Sequence, residues 1–266
     1  EEISILHATS LKAMVYAWPL GSFAQVIWHH HDILPPGLMN SLWVQALSAR
    51  ARLILTPSDA TRLSLVQAGV LSQRVKVLRN GFPVQEWHTR PERKPGQLFR
   101  IGLVGEISPR KGTDRLETIL KELGSLDGLQ VLVIGEGLSD PEFARRLQER
   151  LASRTVRFLG RRSRMKELYA EMDVLLVPSR QDPLPTVIVE AGLSGVPVVG
   201  ARGGGIPEMI APGENGFLFD SEAEAAKSIR LCQENWLSLS RGARKIAESR
   251  YDIRGLTADL LGVYAS

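Results

Sequence analysis

One cysteine, Cys232, stands in 266 residues. That excludes a disulfide framework and a thiolate metal cluster, and it fits a reducing compartment. No apolar run is long enough to span a bilayer, and no signal peptide is visible. The chain begins Glu1-Glu2 without an initiator Met, the mark of a processed or engineered end. RNP1-like, zinc-finger and bZIP patterns are missing, so no nucleic-acid partner is expected. The dinucleotide fingerprint G-x-G-x-x-G and the Walker loop are missing too, which disfavours dinucleotides and ordinary ATPase chemistry. There is no Asp-x-Asp-like carboxylate pair to hold a divalent ion on a diphosphate, so no metal and no cofactor is expected. Short-period repeats and low-complexity tracts are also lacking. Net charge is +4 with a pI near 9.4, a balance that suits an anionic small ligand or an acidic membrane surface.

What is present is an alternation of strand and helix patterns from end to end, the signature of a parallel α/β architecture. In the first part, strands are expected at 3–7, 24–29, 53–56 and 75–78, with helices near 11–18, 39–49 and 59–68. The polar stretch from Gln85 to Gln97 has two prolines, one glycine and neither apolar period, so it reads as a linker. A second series then supplies strands at 100–104, 130–134, 156–158, 174–177, 198–200 and 217–219. Helices fall near 114–123, 141–152, 165–171, 185–194 and 222–232. Six strands with crossover helices make a complete doubly wound unit, whereas the first series has only four. The expected division is a partial amino-terminal domain (1–84), a linker (85–98), a carboxyl-terminal domain (99–250) and a terminal segment (251–266).

Three strand-to-helix loops of the second series carry the chemistry. The apolar run from Val174 to Pro178 is followed by Asp182 and by a helix expected to open at Pro185, with Glu190 inside it. A helix start at the carboxyl end of a parallel strand is where open α/β sheets bind ligands, and its free N–H groups favour phosphate. Two carboxylates there would repel phosphate and instead accept hydrogen bonds from hydroxyls. Phosphate plus hydroxyls suggests a nucleotide attached to a sugar. The loop from Gly105 to Asp114 offers Arg110 and Lys111 to a diphosphate, with Thr113 or Asp114 as a helix cap under the blander reading. Gly203, Gly204 and Gly205 form the third loop, where they are expected to allow φ > 0 and to offer bare backbone N–H groups. In the first series, His29 and His31 share one strand face and His30 takes the other. Trp28, Trp43, Trp87 and Phe99 read as core or hinge packing, and the arginines between Arg145 and Arg164 as a solvated basic face.

Together these pieces resemble the family 4 glycosyltransferases, retaining enzymes of the GT-B fold with two facing Rossmann-like domains. The resemblance rests on Gly105 to Gly112, on Asp182 and Glu190 with seven residues between them, and on the run from Glu190 through Gly195 to Val199. Gly204–Glu208 and Gly213–Leu218 match as well, as do His31-Asp32, Thr56–Ala60 and Leu78–Gly81. It implies transfer of a sugar from a nucleoside diphosphate donor to an acceptor hydroxyl with retention of configuration. Lys111, Arg110 and Gly105 would meet the diphosphate, and Glu190 the ribose. Leu184, Pro185 and Thr186 would offer backbone to sugar or phosphate, and Gly160 and Arg161 would lie along the base. His31 and Asp182 are the two groups expected at the reacting sugar, His31 coming from the other domain. No residue is identified as a covalent nucleophile. The resemblance also implies that the terminal stretch, Tyr251–Tyr264, is a helix packing back on the amino-terminal domain.

The resemblance further implies a carbohydrate or lipid-linked acceptor, polysaccharide or glycolipid biosynthesis, and a cytoplasmic setting that extends to the inner face of a membrane. Oligomeric state is left open. Three residues depart from the family pattern: Glu106 replaces an arginine, Asp182 a glutamate and Pro185 a glycine. The family's amino-terminal glycine-rich loop has no counterpart, so the second domain is expected to bind nucleotide alone and the chain as given to transfer sugar poorly. Two rival readings stand beside the transferase. One is a nucleotide-sugar epimerase on the same fold. The other is a nucleotide-sugar-binding fragment completed by a partner.

Overall fold

The computed structural model describes residues 3–89 and 96–265. Residues 90–95 of the expected linker therefore lie outside the described residues. The chain divides into two units, Glu1–Phe82 with Ile253–Ser266 and Pro83–Asp252. The first unit contains β1 (Ile5–Ala8), α1 (Leu11–Ala17), β2 (Gln25–His29), α2 (Leu38–Ser48), β3 (Ala51–Thr56), α3 (Asp59–Gln67) and β4 (Val75–Val77). The second runs β5 (Phe99–Val104), α4 (Arg115–Leu123), β6 (Leu129–Ile134), α5 (Pro141–Leu151), β7 (Val156–Gly160), α6 (Met165–Glu171) and β8 (Val174–Val177). It continues with α7 (Thr186–Leu193), β9 (Val198–Ala201), α8 (Ile206–Met209), β10 (Gly216–Phe219), α9 (Glu222–Glu234) and α10 (Trp236–Tyr251). The last helix, α11 (Ile253–Ala265), returns to the first unit.

All strand pairs are parallel. The first sheet is ordered β1-β2-β3-β4, each strand laid beside the last. Val26 and Trp28 point to one face and pack with Met14 of α1, Val44 of α2 and Leu65 of α3. Ile27 and Leu55 point to the other face, where Leu256, Leu260 and Val263 of α11 cover them. The second sheet is ordered β10-β9-β8-β5-β6-β7. The chain starts at the centre, adds strands outward, then returns to add three on the other side. Its direction of winding thus reverses between β5 and β8, the switch point of a doubly wound sheet. The inner strands β8 and β9 are buried throughout, as apolar runs covered on both faces must be.

The linker expectation begins at Gln85, but Val84–Glu86 form a 3-10 turn of the second unit. Trp87 there is buried, and its ring lies 6.2 Å from that of Tyr169. Helix α10 is absent from the sequence reading. Its buried apolar positions Trp236, Leu239, Ala243, Ala247 and Tyr251 do recur at helical spacing, but two are alanines and Gly242 interrupts them. α10 packs on α7, where the Cβ of Ala247 and the carbonyl of Ala243 crowd Gly192. Trp43 is 62% exposed, contrary to the expected core role, because α2 turns Val44 and Leu47 inward instead.

The histidines at the end of β2 and just beyond it fall as strand alternation requires. His29 lies between His7 and His31, with ring centroids 5.5 and 4.2 Å away. His7 Nδ1 is 2.5 Å from the Tyr264 hydroxyl on α11, and His30 packs against Trp28 on the opposite face. Burial, reinforced by neighbouring imidazoles, pushes His29 down to about 3. Burial likewise pushes His30 to about 4 against the pull of Asp32. Depressed values mean that the fold prefers the neutral rings. Their contribution is complete above the ordinary histidine value of about 6.5 and is lost as pH falls from there through about 4 to about 3. Amide hydrogen exchange in β2 and β3 should therefore accelerate as pH is stepped down through this window, after correction for intrinsic rates. His29→Gln should flatten that dependence, and an unchanged slope in the variant would refute the assignment.

Candidate functional site

Beyond the pairs Ile101–Val174 and Gly102–Leu175, β5 and β8 have no further register partners. Their carboxyl ends carry the two loops expected to hold the site. A crevice between them is lined by Val104, Glu106, Lys111, Pro178, Ser179, Asp182 and Val187. Gly112 makes the junction possible. It has φ +67°, and a Cβ there would stand 2.0 Å from the Pro178 carbonyl oxygen.

The structure joins Lys111 and Asp182, two groups the sequence reading gave separate ligands. Lys111 Nζ donates to Asp182 Oδ2 at 2.5 Å, with the carboxylate side chain 6% exposed and the lysine 25%. Asp182 is fixed through its backbone as well. Gly205 N–H donates to its carbonyl at 2.8 Å, and Gly204, at φ +58°, lets the chain pass where a Cβ would meet that carbonyl oxygen at 2.1 Å. The triple glycine thus packs the Asp182 loop, in place of the bare N–H surface its composition suggested.

Arg180, to which the sequence reading gave no role, clasps the two loops. It makes two 2.7 Å bonds to the Asp114 carboxylate and one of 2.6 Å to the Pro109 carbonyl. Its guanidinium holds the Asp114 carboxyl below the usual range. Asp114 consequently makes no side-chain cap on α4, and Thr113 instead donates to the Ser108 carbonyl at 3.2 Å. Arg110 is more than half exposed and lies 3.7 Å from Glu106. Glu106 accepts from Ser139 N–H at 2.9 Å, and hydrogen bonding from the Ser139 side chain is the main cause of its lowered pKa, with the N–H adding to it against burial. Gly105, at φ +135°, has open space where a side chain would be, as does Gly160 at the end of β7, and Arg161 beyond it is exposed.

Pro185 is the residue before α7 and has extended backbone, so the helix opens at Thr186 and not at the proline. No side chain caps it, which leaves its leading N–H groups without a side-chain partner. Leu184 and Pro185 are buried and Thr186 is exposed. Buried Ile188, Val189, Ala191 and Leu193 make α7 apolar, and Glu190 is its one charged residue. Tyr169 of α6, also unassigned by the sequence reading, donates its hydroxyl to Glu190 Oε2 at 2.8 Å. Burial raises the Glu190 pKa, partly opposed by that hydrogen bond. Burial first, and then Glu190, raise the Tyr169 value well above the ordinary one. His31 belongs to the first unit, where burial lowers its pKa against the pull of Asp32. Among the described residues, no three His, Cys, Asp or Glu side chains are grouped to hold a metal ion. None of the described helices is long and apolar enough to cross a membrane.

Comparison with known proteins follows this geometry. Sulfoquinovosyl transferase SQD2 of Arabidopsis thaliana is 27% identical over 292 residues, covering 96% of this chain and 55% of that protein. A GDP-mannose-dependent alpha-mannosyltransferase of Mycolicibacterium smegmatis is 28% identical over 187 residues, covering 67% of this chain and 47% of its own length. The chain thus spans about half the length of these curated relatives. Among solved structures, Anabaena Alr3699/HepE in complex with UDP and glucose superposes with a TM-score of 0.88 at 25% identity. That match covers 99% of this chain and 78% of the other. Residues 85–250 match the family described as glycosyl transferases group 1, and the chain belongs to that family, its two Rossmann-like units being those of the GT-B fold.

Proposed function

We propose that the chain takes part in moving a sugar from a nucleoside diphosphate donor to an acceptor hydroxyl, with retention at the anomeric carbon and without a metal ion. The observation that carries this is the crevice at the β5–β8 switch point, where a lysine, a buried aspartate and an uncapped helix start meet. Lys111, with Arg110 beside it, supplies positive charge to the departing diphosphate. The open backbone at Gly105 and the leading N–H groups of α7 at Thr186 add dipoles in the same place, with Leu184 and Pro185 shaping the approach. Asp182 accepts from hydroxyls of the transferred sugar, and Glu190 accepts from the ribose. Gly160 and Arg161 border the base. His31 is the candidate group of the first unit for the acceptor side, where a carbohydrate or lipid-linked hydroxyl is the expected partner. The UDP and glucose in the Anabaena structure and the GDP-mannose in the mycobacterial name are consistent with such donors.

The Lys111–Asp182 pair refines the roles. With no ligand, the aspartate neutralises the lysine. On donor binding, Lys111 turns to phosphate while sugar hydroxyls replace it on Asp182. Neither buried charge is then left alone, which would cost several kcal/mol.

A thermal-shift screen of UDP-, GDP-, ADP- and TDP-sugars tests the class. A matching donor at a hundred times its Kd should add about 2.7 kcal/mol to stability. Lys111→Ala should weaken the nucleoside diphosphate by roughly 1.5–3 kcal/mol, one to two decades in Kd, read by calorimetry. An unchanged Kd would remove Lys111 from the site.

Asp182→Asn should spare the free nucleotide and weaken the nucleotide sugar, whereas Glu190→Gln should weaken both. Because the Glu190 pKa is raised, its charged form costs stability above that pKa, and the cost is relieved as pH falls through it. Glu190→Gln should therefore keep its melting temperature at neutral pH while losing affinity. Equal losses for nucleotide and nucleotide sugar in both variants would show the roles are wrongly divided.

Transfer, where an acceptor is found, should survive EDTA. Abolition by EDTA with recovery on adding Mg²⁺ or Mn²⁺ would overturn the metal-free reading.

A further inference from the structure

Tyr169 is wholly buried on α6, and its hydroxyl donates at 2.8 Å to one oxygen of a carboxylate on another helix. A tyrosine hydroxyl in a core needs a partner, but a backbone carbonyl would serve as well as a charged group. Here the partner is Glu190, the one charge on α7 and only partly buried. Among the described residues no hydrogen bond reaches the other oxygen, Oε1. The phenol ring is itself held by Trp87, whose ring centroid lies 6.2 Å away, and Lys166 lies over that indole at 5.2 Å. The hydroxyl is therefore fixed in place, and it fixes one end of the carboxylate.

We propose that Tyr169 is a positioning residue that occupies Glu190 Oε2 and turns Oε1 toward the hydroxyls of the donor ribose, making the site selective for a ribonucleotide over its deoxy analogues. The inference rests on the assignment of Glu190 to the ribose. Two features make the device effective. A carboxylate on a flexible two-carbon stem loses rotamer freedom on binding, and a pre-formed hydrogen bond removes part of that loss beforehand. The same bond also favours the charged form of the carboxylate against burial, which disfavours it, and only the charged form has both oxygens free to accept.

Calorimetry on the full chain tests this. UDP, GDP and ADP are titrated first, and the tightest is carried forward together with its 2′,3′-dideoxy analogue. Tyr169→Phe keeps the ring and should weaken the ribonucleotide about tenfold, leaving the dideoxy analogue within about twofold. In a Glu190→Gln background the same substitution should cost nothing further on either nucleotide. The loss of binding on the acid side should move to higher pH in Tyr169→Phe, because the buried carboxyl then lacks its donor. A merely structural role for Tyr169 would weaken both nucleotides equally and persist in the Glu190→Gln background, and that result would overturn the proposal. Should Glu190→Gln abolish the preference for ribose while Tyr169→Phe leaves it intact, the proposal fails and the ribose assignment stands. Should Glu190→Gln leave the preference unchanged, or should no nucleotide bind, the assignment itself fails and Tyr169 with it.

Discussion

The second unit depends on the pairing of β5 with β8 at the centre of its sheet. These strands begin the two halves of the winding order, and only two residue pairs register between them. Crossover helices on either side leave in opposite directions from this point. The loops that follow must therefore diverge, and a crevice opens over the sheet edge. Its walls are held together, because Gly112 sits against the Pro178 carbonyl and Arg180 reaches across the gap to both the Asp114 carboxylate and the Pro109 carbonyl. Where the chain reverses its winding thus determines where a ligand can enter.

Charge in that crevice is held in balance. Lys111 is paired with Asp182, and Arg110 leans toward Glu106. Burying an unpaired charge is costly, and the buried Asp182 carboxylate has its partner in the less buried Lys111. Glu106 stands where the family pattern has arginine. Its carboxylate faces the exposed Arg110 guanidinium at 3.7 Å and is anchored by Ser139. Glu190 is a different case. Burial raises its pKa, so the fold bears a cost to keep a carboxylate on an apolar helix, and Tyr169 offsets part of it. A charge that weakens the fold and has one oxygen committed is hard to explain by stability alone.

The parts of this molecule visible in its sequence are those governed by local pattern. β8, with four consecutive apolar residues, announces a buried strand, and the polar turn after it announces a strand-to-helix loop. Asp182, Lys111 and Glu190 could be named because they stand in such loops or interrupt an apolar helix. α10 was not legible, since two of its apolar core positions, Ala243 and Ala247, are alanines that contrast little with the surrounding serine and glycine. Trp43 misled because a large aromatic residue ordinarily packs inward, whereas α2 buries its smaller Val44 and Leu47.

The sequence by itself determined the α/β class, the order of its strands and of its helices apart from α10, and the loops that carry polar groups. Periodicity and glycine or proline punctuation are short-range properties that each segment expresses alone. Tertiary structure decided which of those groups meet. Lys111 and Asp182 are joined across 71 positions, Arg180 and Asp114 across 66, and Tyr169 and Glu190 across 21. No local period encodes such distances. They follow from parallel strand register and from helices packed over the sheet, which exist only once the whole unit has folded.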